Sequence, residues 1–152
     1  MTITARFVHT NLIAEDWQRL TRFYQEVFGC TPVPPVRDLS GRWLDASTGI
    51  PGAHLRGVHL RLPGYGDTGP TLEVFQYDRQ EKRVATAPNR PGYGHLAFLV
   101  DDVEEARDAV VAAGGGTLGE IVTLEIPSAG RVTFVYATDP EGNVVELQSW
   151  GS

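Results

Sequence analysis

Two segments of the chain repeat one pattern of apolar and polar positions. In each, a short strand-like run leads into a stretch whose apolar residues recur at i, i+3, i+7 and i+10, the spacing of one buried helical face. The first set is Trp17, Leu20, Tyr24 and Val27, and the second, 86 residues further on, is Val103, Ala106, Val110 and Ala113. Asp16 and Asp102 are suited to cap the helices, Glu105 completes a capping box, and glycines follow both helices. The pattern predicts two copies of a strand followed by a helix.

The repeat continues at a different offset. An offset of 73 places residues 58–76 over residues 131–149, and each copy is typical of two strands joined by a turn containing Asp, Pro and Gly. The change from 86 to 73 assigns 13 extra residues to the first copy, between Pro32 and Val58. That insertion contains "RDLSGRWLDASTGIPGA", which we interpret as a long functional loop or lid. Each half is therefore predicted as strand, helix and three strands, over about residues 3–80 and 90–150.

Length, charge and cysteine content limit what the two copies can be. A chain of 152 residues has the size of one domain with a full core. Its 13 basic and 19 acidic residues, a net charge of −6, argue against a nucleic-acid or anionic-membrane partner. No signal peptide or membrane span is predicted, so we expect a cytoplasmic protein. The single cysteine, Cys30, excludes an internal disulfide framework and is expected to be a packing residue.

The repeat also pairs the most reactive polar residues. At an offset of 86, His9 falls on His95, and at an offset of 73, Glu73 falls on Glu146. Each half thus supplies one histidine on its first strand and one glutamate on its last. Strand alternation puts Glu73 on the face of aromatic neighbours, where a carboxylate is costly unless its charge is compensated. Two imidazoles and two carboxylates suit Zn, Ni, Co, Mn or Fe(II), and a divalent cation would make the site neutral.

The remaining histidines have no partner in the second half. His54 and His59 share a predicted strand with Arg56 and Arg61, and we interpret this row as a solvated or substrate-facing edge. A single strand histidine is more often hydrogen-bonded than a ligand, and a single strand glutamate usually faces solvent. The matched placement of four such residues in two halves is what favours a metal site.

Four segments of the chain resemble those of a known family. The segments "HTNLIAEDWQRLTRFYQEVFG", "LEVFQY", "GYGHLAFLVDDVEEARDAVVAAGG" and "DPEGNVVELQSW" are similar to those of the vicinal oxygen chelate superfamily. The resemblance covers almost the whole chain. It implies an α+β fold of two tandem βαβββ modules whose eight strands form one cupped mixed sheet around a metal. It also implies that His9, Glu73, His95 and Glu146 are the metal ligands.

Within the superfamily, the His-Glu-His-Glu set resembles bacterial glyoxalase I, or lactoylglutathione lyase. The resemblance implies a substrate with adjacent oxygens, proton transfer α to a carbonyl through a metal-chelated enediolate, and Glu146 as the main base with Glu73 as the second acid or base. Two other enzyme classes stay open, a methylmalonyl-CoA epimerase-like enzyme and an extradiol-type dioxygenase. A non-catalytic ligand-binding protein, similar to antibiotic-resistance members, is the alternative from another class.

Three further residues are candidates for substrate binding, and the family resemblance bears on the oligomeric state. Arg90, in "PNRPGYGH", lies one residue away from the position where glyoxalase I has an arginine that helps hold glutathione. Trp43 and Arg42 are the candidate ligand contacts of the insertion, although Trp43 could equally pack on its own loop. The family resemblance implies a homodimer.

Overall fold

The computed structural model describes residues 1–151 and divides the chain into two compact units, Met1–Lys82 and a second that begins at Arg83. Each unit has a helix packed on one sheet. That the two units form a single domain stays a prediction. None of the helices in the described residues is long and apolar enough to cross a membrane.

Unit 1 contains four strands and two helices. They are β1 (His9–Ile13), α1 (Trp17–Phe28), β2 (Thr31–Ser40), α2 (Arg42–Thr48), β3 (His54–Arg61) and β4 (Thr71–Tyr77). The strand order in the sheet is β1-β4-β3-β2, with β1 parallel to β4 and the other pairs antiparallel.

Unit 2 repeats this topology. Its elements are β5 (Leu96–Leu99), α3 (Val103–Ala112), β6 (Gly116–Thr117), β7 (Val122–Ile126), β8 (Gly130–Thr138) and β9 (Val144–Gly151). The order is β5-β9-β8-β6, β7 also pairs with β8, and β5 is parallel to β9. Over residues 1–151 there are nine strands rather than eight, because β6 and β7 divide the path that β2 follows as one strand.

These elements confirm the α+β class and the two βαβββ modules. The strands form one sheet of four and one of five, so the single cupped sheet stays a prediction. The two predicted aspartate caps are also confirmed, whereas the capping-box role of Glu105 stays a prediction. The Asp16 carboxylate accepts from the Arg19 amide at 3.0 Å, and the Asp102 carboxylate accepts from the Glu105 amide at 2.9 Å. Gly29 ends α1 in the left-handed conformation, with φ 69°.

Each helix covers one face of its sheet. In unit 1, α1 packs on β3 and β4, and the buried side chains there include Leu20, Tyr24, Leu60, Leu72 and Val74. In unit 2, α3 packs on β8 and β9, and the buried side chains include Val110, Val135, Val145 and Leu147. Cys30 is buried as expected, and burial raises the pKa of its thiol to about 11, so it is protonated and unreactive at neutral pH.

The structure corrects the offset of one strand. The offset of 73 holds for β4 and β9, but β3 and β8 correspond at an offset of 77, since His59 lies across from Glu73 and Tyr136 across from Glu146. Four of the 13 extra residues therefore lie in the β3–β4 connection, residues 62–70, which is longer than the β8–β9 connection, residues 139–143. Both connections contain Asp, Pro and Gly, so an ungapped comparison does not separate them.

The interpretation of the insertion as a loop or lid is wrong. Residues 37–40 complete β2, and residues 42–48 form α2. Leu44 of α2 is buried with Ala53 and Leu55 in a cluster that Phe75 and Tyr77 also contact. The Asp45 carboxylate accepts from the amides of residues 52 and 53, both at 2.9 Å. These contacts make the insertion a packed part of unit 1.

Candidate metal centre

In unit 1 the parallel pairing of β1 and β4 brings His9 to Glu73. Asn11 is the direct neighbour of Glu73 in the sheet, and His9 lies two positions earlier on the same face. His9 Nε2 is 2.9 Å from Glu73 Oε1, and the Asn11 amide nitrogen donates to the same oxygen at 3.4 Å. Glu73 is buried, with 8% of its surface exposed, so its carboxylate depends on these partners.

A third side chain holds the same carboxylate from the other neighbouring strand. His59 of β3 lies across from Glu73, and its Nε2 is 2.8 Å from Glu73 Oε2. The His59 ring makes edge contacts with His9, at 6.0 Å between centroids, and with Phe75, at 5.7 Å. Burial lowers the pKa of the His59 imidazole, so the neutral ring donates its Nε2 hydrogen to Glu73. Glu73 therefore lies between two imidazoles, with one on each oxygen.

Unit 2 has the corresponding pair in a simpler setting. His95 immediately precedes β5, and Ala97 of that strand is the direct neighbour of Glu146 on β9. His95 Nε2 is 3.0 Å from Glu146 Oε2. Tyr136 occupies the position equivalent to His59, and its ring packs against the His95 ring at 5.1 Å between centroids. Within residues 1–151, His95 is the one side chain paired with Glu146, whereas three contact Glu73.

The donor chemistry of each pair fits half of a divalent-cation site. An imidazole nitrogen and a carboxylate oxygen lie 2.9 Å apart in unit 1, where the glutamate is buried, and 3.0 Å apart in unit 2, where it is partly exposed, and a cation could take the place of the shared hydrogen. Among the described residues, no group of three or more His, Cys, Asp or Glu is arranged around a common point for a metal. In unit 1, His9 and His59 contact different oxygens of Glu73. A centre shared by all four predicted ligands stays a prediction.

The predicted substrate contacts have local partners in the structure. The Arg90 guanidinium donates to the Ala85 carbonyl at 2.8 Å, within its own loop. Arg42 begins α2, and the exposed Trp43 follows it. A Cβ on Gly41 would lie 3.4 Å from Trp43 Cδ1, so the indole packs beside its own helix cap. Substrate binding by these three residues stays a prediction.

His54 and His59 do not form one row, so that interpretation is wrong. Their separation is odd, and the continuous register of β3 with β4 puts them on opposite faces. His54 Nε2 is 2.5 Å from Asp38 Oδ1, and His54 Nδ1 is 2.7 Å from Asp78 Oδ2. These hydrogen bonds raise the pKa of His54, chiefly through Asp38. Strand alternation in the sequence is enough to predict that the two histidines lie on opposite faces. The contacts of His59 could not be predicted in this way, because they depend on the register between β3 and β4.

Comparison with known proteins identifies the class. The model of the Glyoxalase/Bleomycin resistance protein/Dioxygenase superfamily matches residues 6–147, and the chain belongs to this superfamily. It is 28% identical over 145 residues to a Vibrio parahaemolyticus protein named "Probable lactoylglutathione lyase", covering 93% of this chain and 88% of that one.

Two solved structures are similar in fold. A glyoxalase family protein from Bacillus cereus has a TM-score of 0.77 at 19% identity, covering 100% of this chain and 97% of that chain. A glyoxalase I mutant from Zea mays has a TM-score of 0.66 at 23% identity, covering 94% of this chain and 44% of that chain. Both support the fold that the repeat and the family resemblance predict.

Proposed function

We propose that the chain is a metal-dependent lyase or isomerase of the glyoxalase I type, which moves a proton α to a carbonyl. The observation that carries the proposal is the matched histidine–glutamate pair in each module, with Nε2 to carboxylate distances of 2.9 and 3.0 Å. The relatives named lactoylglutathione lyase support the same chemistry. We propose a small substrate with adjacent oxygens, and a homodimer acting in the cytoplasm.

The proposed ligands of the cation are His9, Glu73, His95 and Glu146. Zn, Ni, Co, Mn and Fe(II) all suit two imidazoles and two carboxylates. When bound, such a cation supplies Lewis-acid stabilisation of negative charge on the substrate oxygens. His9 and His95 would hold the cation through a ring nitrogen that carries no hydrogen, in place of their present contacts with Glu73 and Glu146.

The difference between the two carboxylates supports Glu146 as the main base. Glu73 is held by His9, His59 and Asn11, whereas Glu146 is paired with His95. A carboxylate that takes and returns a proton must be able to exchange its partner, and Glu146 has fewer contacts to break. Glu73 acts as the second acid or base. Arg90, Trp43 and Arg42 are proposed to bind the rest of the substrate.

Metal loading followed by isotope exchange tests the proposal. Freshly purified protein is analysed for bound metal and, if empty, incubated with Zn, Ni or Mn. The loaded protein is then given hemithioacetals and α-hydroxy-ketones in deuterated water. We expect deuterium at the carbon α to the carbonyl and isomerised product. Protein that takes up none of these metals, or loaded protein that exchanges no α-proton on either substrate class, would overturn the proposal.

A further inference from the structure

Within residues 1–151, Glu73 has a hydrogen-bond partner, His59, that has no counterpart at Glu146. His59 Nε2 donates to Glu73 Oε2 at 2.8 Å, while Oε1 faces His9 at 2.9 Å. In unit 2 the equivalent position is Tyr136, whose ring packs on His95. The two oxygens of Glu73 are therefore distinguished by their partners.

The His59 ring is supported by the part of unit 1 that unit 2 lacks. Phe75 contacts the His59 ring and also the cluster of Leu44, Ala53 and Leu55 that anchors α2. Gly57 makes room for this contact, since a Cβ there would lie 2.7 Å from Phe75 Cδ1 and 2.0 Å from the Val74 carbonyl oxygen. A continuous set of packed side chains thus runs from α2 to His59.

We propose that His59 is a positioning residue for Glu73, which it holds by Oε2 so that Oε1 is the oxygen offered to the cation beside His9. The inference rests on the proposed function, because Glu73 and His9 must be metal ligands. The His59 bond to Oε2 would leave Oε1 as the oxygen available to a cation beside His9. Partners that orient a metal-binding carboxylate contribute about 10- to 100-fold to metal affinity.

The inference assigns different tasks to the two modules. Glu73 is oriented by His59 and serves chiefly as a ligand, with its role as second acid or base subordinate to that of Glu146. Within residues 1–151, Glu146 is paired with His95, and Tyr136, at the position equivalent to His59, packs its ring on His95 instead of bonding to the carboxylate, so Glu146 has fewer contacts to exchange in proton transfer. The insertion that supplies α2 then serves the metal site by packing behind Phe75 and His59, rather than by closing over the substrate.

A matched pair of substitutions tests the inference on the full chain. Gln and Met have similar length, but only the Gln side chain can donate a hydrogen bond to Glu73 Oε2. We expect His59→Met to weaken Zn binding about 10- to 100-fold in a chelator competition and to change the visible absorption of the Co(II)-loaded protein. His59→Gln should restore the affinity to within a few-fold of wild type and the wild-type absorption. Tyr136→Phe, at the equivalent position of unit 2, should leave Zn affinity unchanged.

The outcomes separate this inference from the proposed function. Wild-type protein that binds no Zn, Ni or Mn overturns the proposed function and the inference with it. Wild-type protein that binds Zn, with His59→Met binding equally well, overturns the inference alone. Equal weakening in His59→Met and His59→Gln also overturns it, because the hydrogen bond would then not be the cause. Thermal unfolding without metal shows which variants are folded, and His59→Phe replaces His59→Met if the latter is not.

Discussion

The two modules present the same pair of residues in different surroundings. In unit 1 the glutamate is buried between two imidazoles and an amide, and Phe75, which contacts the His59 ring, also packs against the cluster that contains Leu44 of the extra helix. In unit 2 the glutamate pairs with His95, and a tyrosine fills the remaining position. The shared topology places the proposed ligands at equivalent positions, and the neighbouring strand determines how many partners each carboxylate has.

The largest expected effect comes from exchanging the two carboxylates for amides. Glu146→Gln should retain some metal and lower turnover by about 10²- to 10⁴-fold, because an amide cannot take the α-proton. Glu73→Gln should weaken metal binding more than Glu146→Gln does. The two variants are compared by their turnover at saturating metal and by their metal affinity. Wild-type turnover by Glu146→Gln would show that the base has been assigned to the wrong module.

Truncation of Leu44 tests whether the helix that only unit 1 has is a packed element. Leu44 is 4% exposed, so Leu44→Ala should lower the free energy of unfolding by about 3 kcal/mol through lost burial and a cavity. Trp43→Ala, at a side chain 57% exposed on the same helix, should cost below about 1 kcal/mol. Urea unfolding measures both. Similar small losses of unfolding free energy in both variants would indicate that the insertion is a loosely packed lid.

Each module has an aspartate in the connection between its last two strands, and we expect only the one in unit 2 to contribute strongly to the free energy of unfolding. The buried Asp139 carboxylate accepts from the amides of Glu141 and Asn143 and from the Asn143 side chain, at 2.7–3.0 Å. Asp139→Ala leaves these donors without that acceptor, so we expect a loss of about 2 kcal/mol in urea unfolding. Asp67→Ala, in the exposed connection of unit 1, should change stability by less than about 0.5 kcal/mol. An equal effect of the two substitutions would contradict this difference.

The smallest expected effect is a pH dependence confined to unit 1. His54 is bonded to Asp38 and Asp78, and Arg56 lies 3.8 and 3.5 Å from the same carboxylates. The pKa of His54 is raised from its ordinary 6.5, so its contribution to stability is complete below about pH 6.5 and is lost as pH rises through the raised value. The pKa of Asp38 is lowered from 3.8 by the His54 hydrogen bond, so its contribution is present above 3.8 and is lost as pH falls through the lowered value.

His54→Gln tests this sign directly. The stability difference between wild type and His54→Gln in urea unfolding should be larger at pH 5.5 than at pH 9. His59→Gln, on the opposite face of β3, serves as the matched comparison. A difference that grows toward pH 9 would contradict the arrangement of His54 between two carboxylates.

The sequence predicts the parts of this molecule that carry a periodic signal. The helices at Trp17 and Val103, their aspartate caps and the four paired histidines and glutamates all follow from one repeat. The features that the sequence does not predict are those that depend on how the strands pair. An ungapped offset does not locate the four extra residues of the β3–β4 connection, so it does not put His59 across from Glu73. The seven-residue α2 lies between glycines and is too short for a clear helical period.

Metal stoichiometry in single-module variants tests most directly the central claim that one pair from each module binds one cation. Wild-type protein, His9→Gln and His95→Gln are titrated with Zn, and bound metal is measured after removal of the excess. The account predicts about one ion per chain in wild type and loss of tight binding in both variants, since either loses one of the four ligands. Two ions per chain in wild type, or unchanged binding by either variant, would contradict it.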